Sequence, residues 1–306
     1  MQRLLIVYNP RSSRFADVER DILAPARQLQ GYLVGKYEVA PSDLEDNIAR
    51  LSALLKNGDL VISAGGDATG IIASNAILCS GKSATLAALP YGNFNDLART
   101  LRTKSLEDVM ELASNDTCHG RNLYPLEIYV DGKFFRYATC YATIGMTAEA
   151  VSLYDSPKMR AKLKSTFGRK ITSYTELASW YFKHRRKKQF LPEFTLNGTR
   201  AHYGTSDYAA VNGRSMARVM KGGEDYHDPK FFRSETDRLA SFFRLTKLML
   251  RSMFSRIPGT ATSGDVLEFI NPSTITLQTE GEGHTFERIK RIEIKKSKKC
   301  LKVIEK

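Results

Sequence analysis

Through its first hundred residues the chain alternates two apolar patterns. RLLIVY at 3–8, LVISAGG at 60–66 and SATLAALPYG at 83–92 are short continuous runs, with the length and composition of strands buried on both faces. Between the first two runs, SDLEDNIARLSALLKNGD at 42–59 repeats Leu44, Ile48, Leu51 and Leu55 at helical spacing. Ser42 and Glu45 have the spacing of a capping box, and Asn57-Gly58 supplies a stop. GIIASNAILCSG at 70–81 and LEDVMELAS at 106–114 read as further helices. Strands separated by helices predict an α/β domain with a parallel sheet.

Beyond about residue 121 the pattern changes to alternation. YPLEIYVDGKFFRYATCYATIG at 124–145 predicts an antiparallel hairpin turning at Asp131-Gly132. Further strand and turn signals follow at 194–214 and from 266 to the end. Helices are expected at about 157–188 and about 234–255, the second with an apolar face of Leu239, Phe242, Phe243, Met249, Leu250, Met253 and Phe254. The layout is an N-terminal α/β domain followed by an antiparallel β domain with inserted helices.

The strand at 60–66 ends in ISAGGDATG and runs into a helix. Glycines admit close approach of backbone N–H groups to an anion, and the helix N-terminus adds positive partial charge. Alone, such a loop serves a tight turn equally well. It has no G-x-G-x-x-G, and Gly81-Lys82-Ser83 lacks the upstream glycine of a Walker loop, so that GKS reads as a turn. Two companions change the picture. The first strand ends in VYNPRSS with Asn9, Pro10 and Ser12, and the third in LPYGNFNDLART with Pro90, Gly92, Asn95, Asp96 and Arg99. Ligands of open parallel sheets bind beyond the carboxyl ends of the strands, so the three ends would line one crevice.

Composition bounds the partners. The 306 residues are 42% hydrophobic and 26% charged, ordinary for a globular chain. Lys and Arg exceed Asp and Glu by 46 to 33, a net charge of +13, which suits an anionic partner. Cys79, Cys118, Cys140 and Cys300 are scattered, as reduced thiols of a cytosolic protein are. No run approaches the roughly 20 apolar residues of a membrane span, and MQRLLIVYNP ends too early for a signal peptide. The five histidines are too dispersed for a metal site, although His227 lies between two aspartates. In the segment 156–190, Met159, Leu163, Phe167, Ile171, Tyr174, Leu177 and Tyr181 follow helical spacing among many Lys and Arg. It reads either as a core-packed helix with a solvated basic face or as a surface for anionic lipid. KHRRKK at 183–188 carries no RNA-binding signature, so no specific nucleic acid is expected.

The ordered set N-P-x-S, G-G-D-x-T and P-x-G-x-x-N-D-x-A-R, continued by VNGR at 211–214, EDYHDPKFF at 224–232 and TEGEG at 279–283, resembles the diacylglycerol kinase catalytic family across nearly the whole chain. The resemblance implies an α/β nucleotide-binding domain over 1–121, with 287–306 returning to it, and a β-sandwich lipid-substrate domain over 122–286. It implies an ATP- and Mg2+-dependent kinase of a diacylglycerol-like lipid, working at the cytoplasmic face of an anionic membrane, with room for a homodimer. Carried over by position, Asn9 and Ser12 contact ATP. Gly65, Gly66, Asp67 and Thr69 form the phosphate loop, and Gly92, Asn95 and Asp96 the second nucleotide segment. Asp225 and Asp228 fall near a structural magnesium, Glu280 takes the general-base position and Glu282 matches the second acid of that motif. The chain departs from the family with Ala68 for a glycine, at a place where positive φ or a close phosphate is expected, and with Asn93 for a threonine. It also has Glu280 for an aspartate, Ile72 for a glutamate, and Asp228-Pro229-Lys230 for D-D-G. A catalytically impaired pseudokinase or lipid-binding protein of the same fold, and a kinase of another lipid or of a soluble substrate, are the alternatives.

Overall fold

The computed structural model describes residues 1–114, 121–155, 169–184, 190–199, 204–216, 220–222, 225–237, 247, 251, 255 and 259–306. The first domain begins with β1 (Gln2–Tyr8), helical turns over 15–26, and β2 (Tyr32–Glu38). It continues through α1 (Leu44–Leu54), β3 (Leu60–Gly65), α2 (Asp67–Ser80), β4 (Thr85–Pro90), α3 (Asp96–Leu101), α4 (Leu106–Ser114) and β5 (Arg121–Leu123). The expected parallel sheet is present, in the spatial order β2-β1-β3-β4. Strand β2 has no counterpart in the apolar pattern: it is an edge strand with only Tyr37 fully buried, and edge position relaxes the demand for continuous apolar residues.

The second domain comprises β6 (Leu126–Val130), β7 (Lys133–Ala138), β8 (Tyr141–Gly145), α5 (Met146–Asp155), α6 (Arg169–His184), β9 (Phe194–Leu196) and β10 (Thr205–Val211). The short pair β11 (Ser215–Met216) and β12 (Met220–Lys221) follows. After a 3-10 turn at Asp225–His227 come β13 (Phe231–Asp237), β14 (Thr260–Thr262), β15 (Gly264–Thr279) and β16 (Glu282–Lys296). Its sheet is antiparallel, ordered β14-β13-β10-β8-β15-β16-β6-β7, with β9 also on β15. The chain then crosses back: β17 (Leu301–Val303) lies parallel to β4 and antiparallel to β5, joining the first sheet.

The predicted hairpin turns at Asp131-Gly132, both at positive φ (47° and 77°). The Asp131 carboxylate also accepts from the Lys290 and Arg291 N–H groups at 2.9 and 2.8 Å. Two local expectations are corrected. The cap of α1 is Asp43, which accepts from Asp46 N–H at 2.8 Å; Ser42 instead accepts from the Asn47 amide at 3.1 Å, and Glu45 reaches across to Arg136. The stretch 234–237 is strand, not the start of a helix, because it continues β13 in antiparallel register with β10. Most of 238–258 lies outside the described residues, as do 156–168 and 185–189, so the remaining expectations for those helices fall there too.

Helix α2 explains how the domains hold together. Residues 69–78 of it are buried on every side, the signature of a helix enclosed within the protein. Ile72, Ala73, Ala76 and Ile77 belong to one apolar body that also takes in Leu5, Val61 and Leu86 of the first sheet and Tyr137, Tyr141 and Val211 of the second. Within this apolar seam Asn75 is polar and fully bonded. Its amide donates to Tyr137 C=O at 3.1 Å and accepts from Tyr137 N–H at 2.9 Å, serving the edge strand β7 as a neighbouring strand would. A third link is ionic: Arg136 of β7 pairs with Glu45 of α1.

Asn75→Ala strips both partners from a buried peptide group. Unsatisfied buried groups cost about 1–3 kcal/mol, so the variant is expected to unfold about 2–3 kcal/mol more easily in urea, with an unchanged denaturant slope.

Candidate active site

The loops leaving β1, β3 and β4 meet at one end of the first sheet. The β1 loop is a tight turn, in which Asn9 C=O accepts from Ser12 N–H and the Asn9 side chain from Arg11 N–H, both at 3.0 Å. Arg14 then donates to Pro90 C=O at 2.9 Å and lies over the Tyr91 ring, tying this loop to the one after β4. Tyr91 N–H in turn donates to Gly65 C=O at 3.2 Å.

Two glycines set the spacing. A Cβ on Gly92 would stand 2.2 Å from the Gly66 Cα, and one on Gly66 would stand 3.2 Å from the Gly92 Cα. The two backbones touch because neither residue has a side chain. Gly65 is constrained differently: a Cβ there would meet the Thr69 hydroxyl at 2.3 Å. Thr69 is buried and packs back onto Gly65 from the first turn of α2. Ala68 is the second residue of that helix and has no positive φ, so its methyl group meets no backbone strain, and the positive-φ half of the expectation for this position does not hold.

Asp67, the first residue of α2, accepts from Asn95 N–H at 3.0 Å and from Asp96 N–H at 2.7 Å. Asn95 sits at φ 59°, and its amide closes on Gly92 in both directions, accepting from N–H at 2.6 Å and donating to C=O at 2.8 Å. Asp67 therefore organises the loop that carries Asp96. Desolvation, and next the Asp96 charge, push the Asp67 carboxyl well above the usual carboxylate range against the pull of its two N–H donors. Asp96 is fully buried and takes a hydrogen bond of 2.6 Å from the Ser215 hydroxyl, which comes from the second domain.

Glu280 arrives from the opposite side. Thr279 pairs with Glu282 across a two-residue turn, and Glu280 and Gly281 occupy it at φ 51° and 93°, the geometry of the tight hairpin turns that match strand twist. Left-handed backbone at a residue other than glycine costs roughly 1–2 kcal/mol. The turn holds the Glu280 side chain inside the protein, where it accepts from Thr139 Oγ1 at 2.6 Å and from Cys140 N–H. Burial raises its pKa to about 7, opposed by those two donors and assisted by the charge of Asp96. With its amide oriented to satisfy both ends, Gln278 supports the turn by accepting from Gly281 N–H at 3.1 Å. Glu282 opens β16 beside it.

Asp67, Asp96 and Glu280 thus share one electrostatic neighbourhood between the domains, with the loops of Asn9, Ser12, Gly65, Gly66, Gly92 and Asn95 at its edge. Asp225 and Asp228 do not join it; Asp225 opens the 3-10 turn and Asp228 follows it, and His227 of that turn reaches Asn122 C=O and Glu305. Among the described residues no group of three or more His, Cys, Asp or Glu side chains could hold a metal ion alone. Cys79, Cys140 and Cys300 are free thiols, and Gly81 is the left-handed C-cap of α2. Ser215, Thr139 and the Cys140 N–H were not marked by the sequence, since a hydroxyl or a main-chain donor in a strand carries no signature. The only pointer was VNGR, directly before Ser215.

Residues 3–121 match the diacylglycerol kinase catalytic domain. The matched stretch is less than half of the chain. Over 139 residues, 44% of this chain and 44% of the relative, it is 32% identical to the diacylglycerol kinase of Bacillus subtilis (strain 168). The match therefore spans less than half of that relative's length. A solved diacylglycerol kinase structure from Bacillus anthracis str. Sterne superposes with TM-score 0.62 at 13% identity, over 100% of this chain and 97% of the other. A second structure from that organism, named provisionally for the same kinase, reaches TM-score 0.65 at 15% identity with the same coverage. These likenesses extend the shared fold to the second domain.

A carboxyl whose folded pKa lies above its unfolded value costs no stability below the unfolded pKa. Stability falls as pH rises between the two values and is level above the folded one. For Glu280 that window runs from its ordinary 4.5 to about 7. Glu280→Gln is expected to match wild type near pH 4 and to be more stable at pH 8, by about 1–3 kcal/mol. Urea unfolding at the two pH values measures the difference.

Proposed function

We propose that the protein is an ATP-dependent lipid kinase that transfers the γ-phosphoryl group to the hydroxyl of a diacylglycerol-like lipid. The observation that carries this reading is Glu280, a carboxylate enclosed between the domains beside Asp96 with its pKa raised to about 7. A general base works best when its pKa lies near the operating pH. Opposite it is a loop pair built for anions, with Gly66 and Gly92 in backbone contact and the N-terminus of α2 directed into the crevice.

In the proposed reaction the lipid hydroxyl oxygen bonds to the γ-phosphorus as the bond between that phosphorus and the β,γ-bridging oxygen breaks. Glu280 takes the hydroxyl proton, and ADP leaves with the electron pair of the broken bond. Asn9, Ser12 and the 65–69 loop would orient the nucleotide, with Gly92, Asn95 and Glu282 completing the pocket. Mg2+, entering with the nucleotide, would neutralise phosphate charge. Asp67 fits it as the carboxylate partner, since it sits at the first turn of α2 and keeps some solvent contact. Phosphates would supply the remaining oxygens, in keeping with the lack of a ready-made cluster among the described residues. Positioning and charge neutralisation are the main requirements of phosphoryl transfer.

Incubation with labelled ATP, Mg2+ and a panel of lipids in mixed micelles tests the reading. Wild type is expected to label a diacylglycerol-like alcohol, Asp67→Asn to abolish transfer, and Glu280→Gln to lower turnover by about 10²–10⁴-fold while nucleotide binding persists. Full activity in Glu280→Gln would move the base to Asp96. No labelling of any lipid by wild type, with activity gained in Ala68→Gly combined with Glu280→Asp, would favour a catalytically impaired relative.

The basic segment 183–188 is proposed to bind an anionic membrane. Exchanging Lys183, Arg185, Arg186 and Lys187 for glutamine should weaken binding to phosphatidylserine vesicles, more so at low salt, where exposed charges are least screened. Equal binding by both proteins would assign these residues to a merely solvated face.

A further inference from the structure

The acidic loop at 225–230 is assembled from the protein's own charges. Asp228 is exposed, and its Oδ1 accepts from Lys230 N–H at 3.0 Å, so the carboxylate is turned to its own backbone. The group that meets the loop instead is the Lys296 side chain, at the end of β16 and far from the loop in sequence, whose pKa burial lowers to about 7. Its ammonium group is directed onto Asn212 Oδ1 and onto Lys230 C=O at 3.3 Å, with Asp228 as an opposite charge nearby.

The other side of the loop is held by Glu305, whose side chain is 2% exposed. Glu305 accepts from Tyr226 OH at 2.5 Å, pairs with Arg214 at 3.0 Å and meets His227 Nε2 at 3.2 Å. Tyr226 C=O accepts from Tyr124 N–H at 2.9 Å, which fixes the turn to the strand before it.

A hard divalent cation at this place would be bound by oxygens: a carboxylate, a side-chain amide oxygen and a main-chain carbonyl. Asn212 Oδ1 and Lys230 C=O are oxygens of that kind, and an ammonium with its three donors already engages them. A metal and Lys296 Nζ cannot occupy the same oxygens. The site therefore does not fit the structural magnesium expected at Asp225 and Asp228.

We infer that the Lys296 side chain, through its Nζ donors, holds the 225–230 loop in place of a divalent metal. The inference does not depend on the kinase reading, because it concerns the nucleotide-free fold. Thermal unfolding of the full chain without nucleotide tests it, in EDTA and in Mg2+. Wild type is expected to melt at the same temperature in both. Lys296→Met, and the milder Lys296→Gln, are expected to melt several degrees lower, since the buried Asn212 amide oxygen would lose its donor. Two results would overturn the inference: a wild-type melting temperature that rises with Mg2+ and stops doing so in Asp228→Asn, or Lys296 variants that melt as wild type does. Should Lys296→Met fail to fold, the glutamine variant and the wild-type comparison still decide.

Discussion

The Asp67 carboxylate, placed at the first turn of an enclosed helix, holds the N–H groups of Asn95 and Asp96, and the site depends on that grip. It joins the ends of two adjacent parallel strands, β3 and β4, through one side chain. The grip needs the backbones after β3 and β4 to be close, which the facing glycines Gly66 and Gly92 permit. It also needs Asn95 in the left-handed region, where a short amide that bonds its own loop is among the few side chains tolerated. Once Asn95 is set, α3 starts with Asp96 pointing toward the second domain and Ser215. A substitution that reads as a change of metal ligand at Asp67 thus also releases the loop that carries Asp96.

The sequence displayed the parts of this arrangement unevenly. The buried strands were plain because burial on both faces demands continuous apolar residues. The glycine pair and Asn95-Asp96 were legible because positive φ and close backbone approach restrict residue choice. Strand β2 was not, since an edge strand tolerates Gly35 and Lys36 among its apolar residues. The start of the later helix was misplaced because Ser234, Glu235, Thr236 and Asp237 are all polar, and four polar residues suit either period. Asp43 took the cap from Ser42 because both are good acceptors one residue apart, and tertiary contact drew Glu45 away to Arg136.

Glu280 shows most clearly where local reading stops. In TEGEGH nothing distinguishes it from a solvated turn residue, and a turn it is. What buries it is long-range: β15 and β16 extend their hairpin until its tip reaches the start of β8, where Thr139 and the Cys140 N–H wait. The left-handed conformation at Glu280 is the local cost of this placement, and aspartate would bear it more easily. Aspartate would also be one methylene short of Thr139 and Cys140, so backbone comfort and reach pull in opposite directions at this residue.

The seam between the domains is where stability and chemistry meet. Asn75, the Arg136–Glu45 pair and the returning strand β17 each bind the second domain to the first. The carboxylates of Asp67 and Asp96 come from one side of that seam and Glu280 from the other, so docking the domains brings like charges together in a poorly solvated space. A fold built only for stability would avoid this. Apolar packing around α2 and the satisfied Asn75 offset the repulsion, and the repulsion in turn raises proton affinity in the crevice. The domains therefore have to be firmly docked for Glu280 to hold a proton near neutral pH. Loosening the seam would let water in and return its pKa toward the ordinary carboxylate range. Proton affinity at Glu280 is in this sense a property of the interface, set by residues that never touch a substrate.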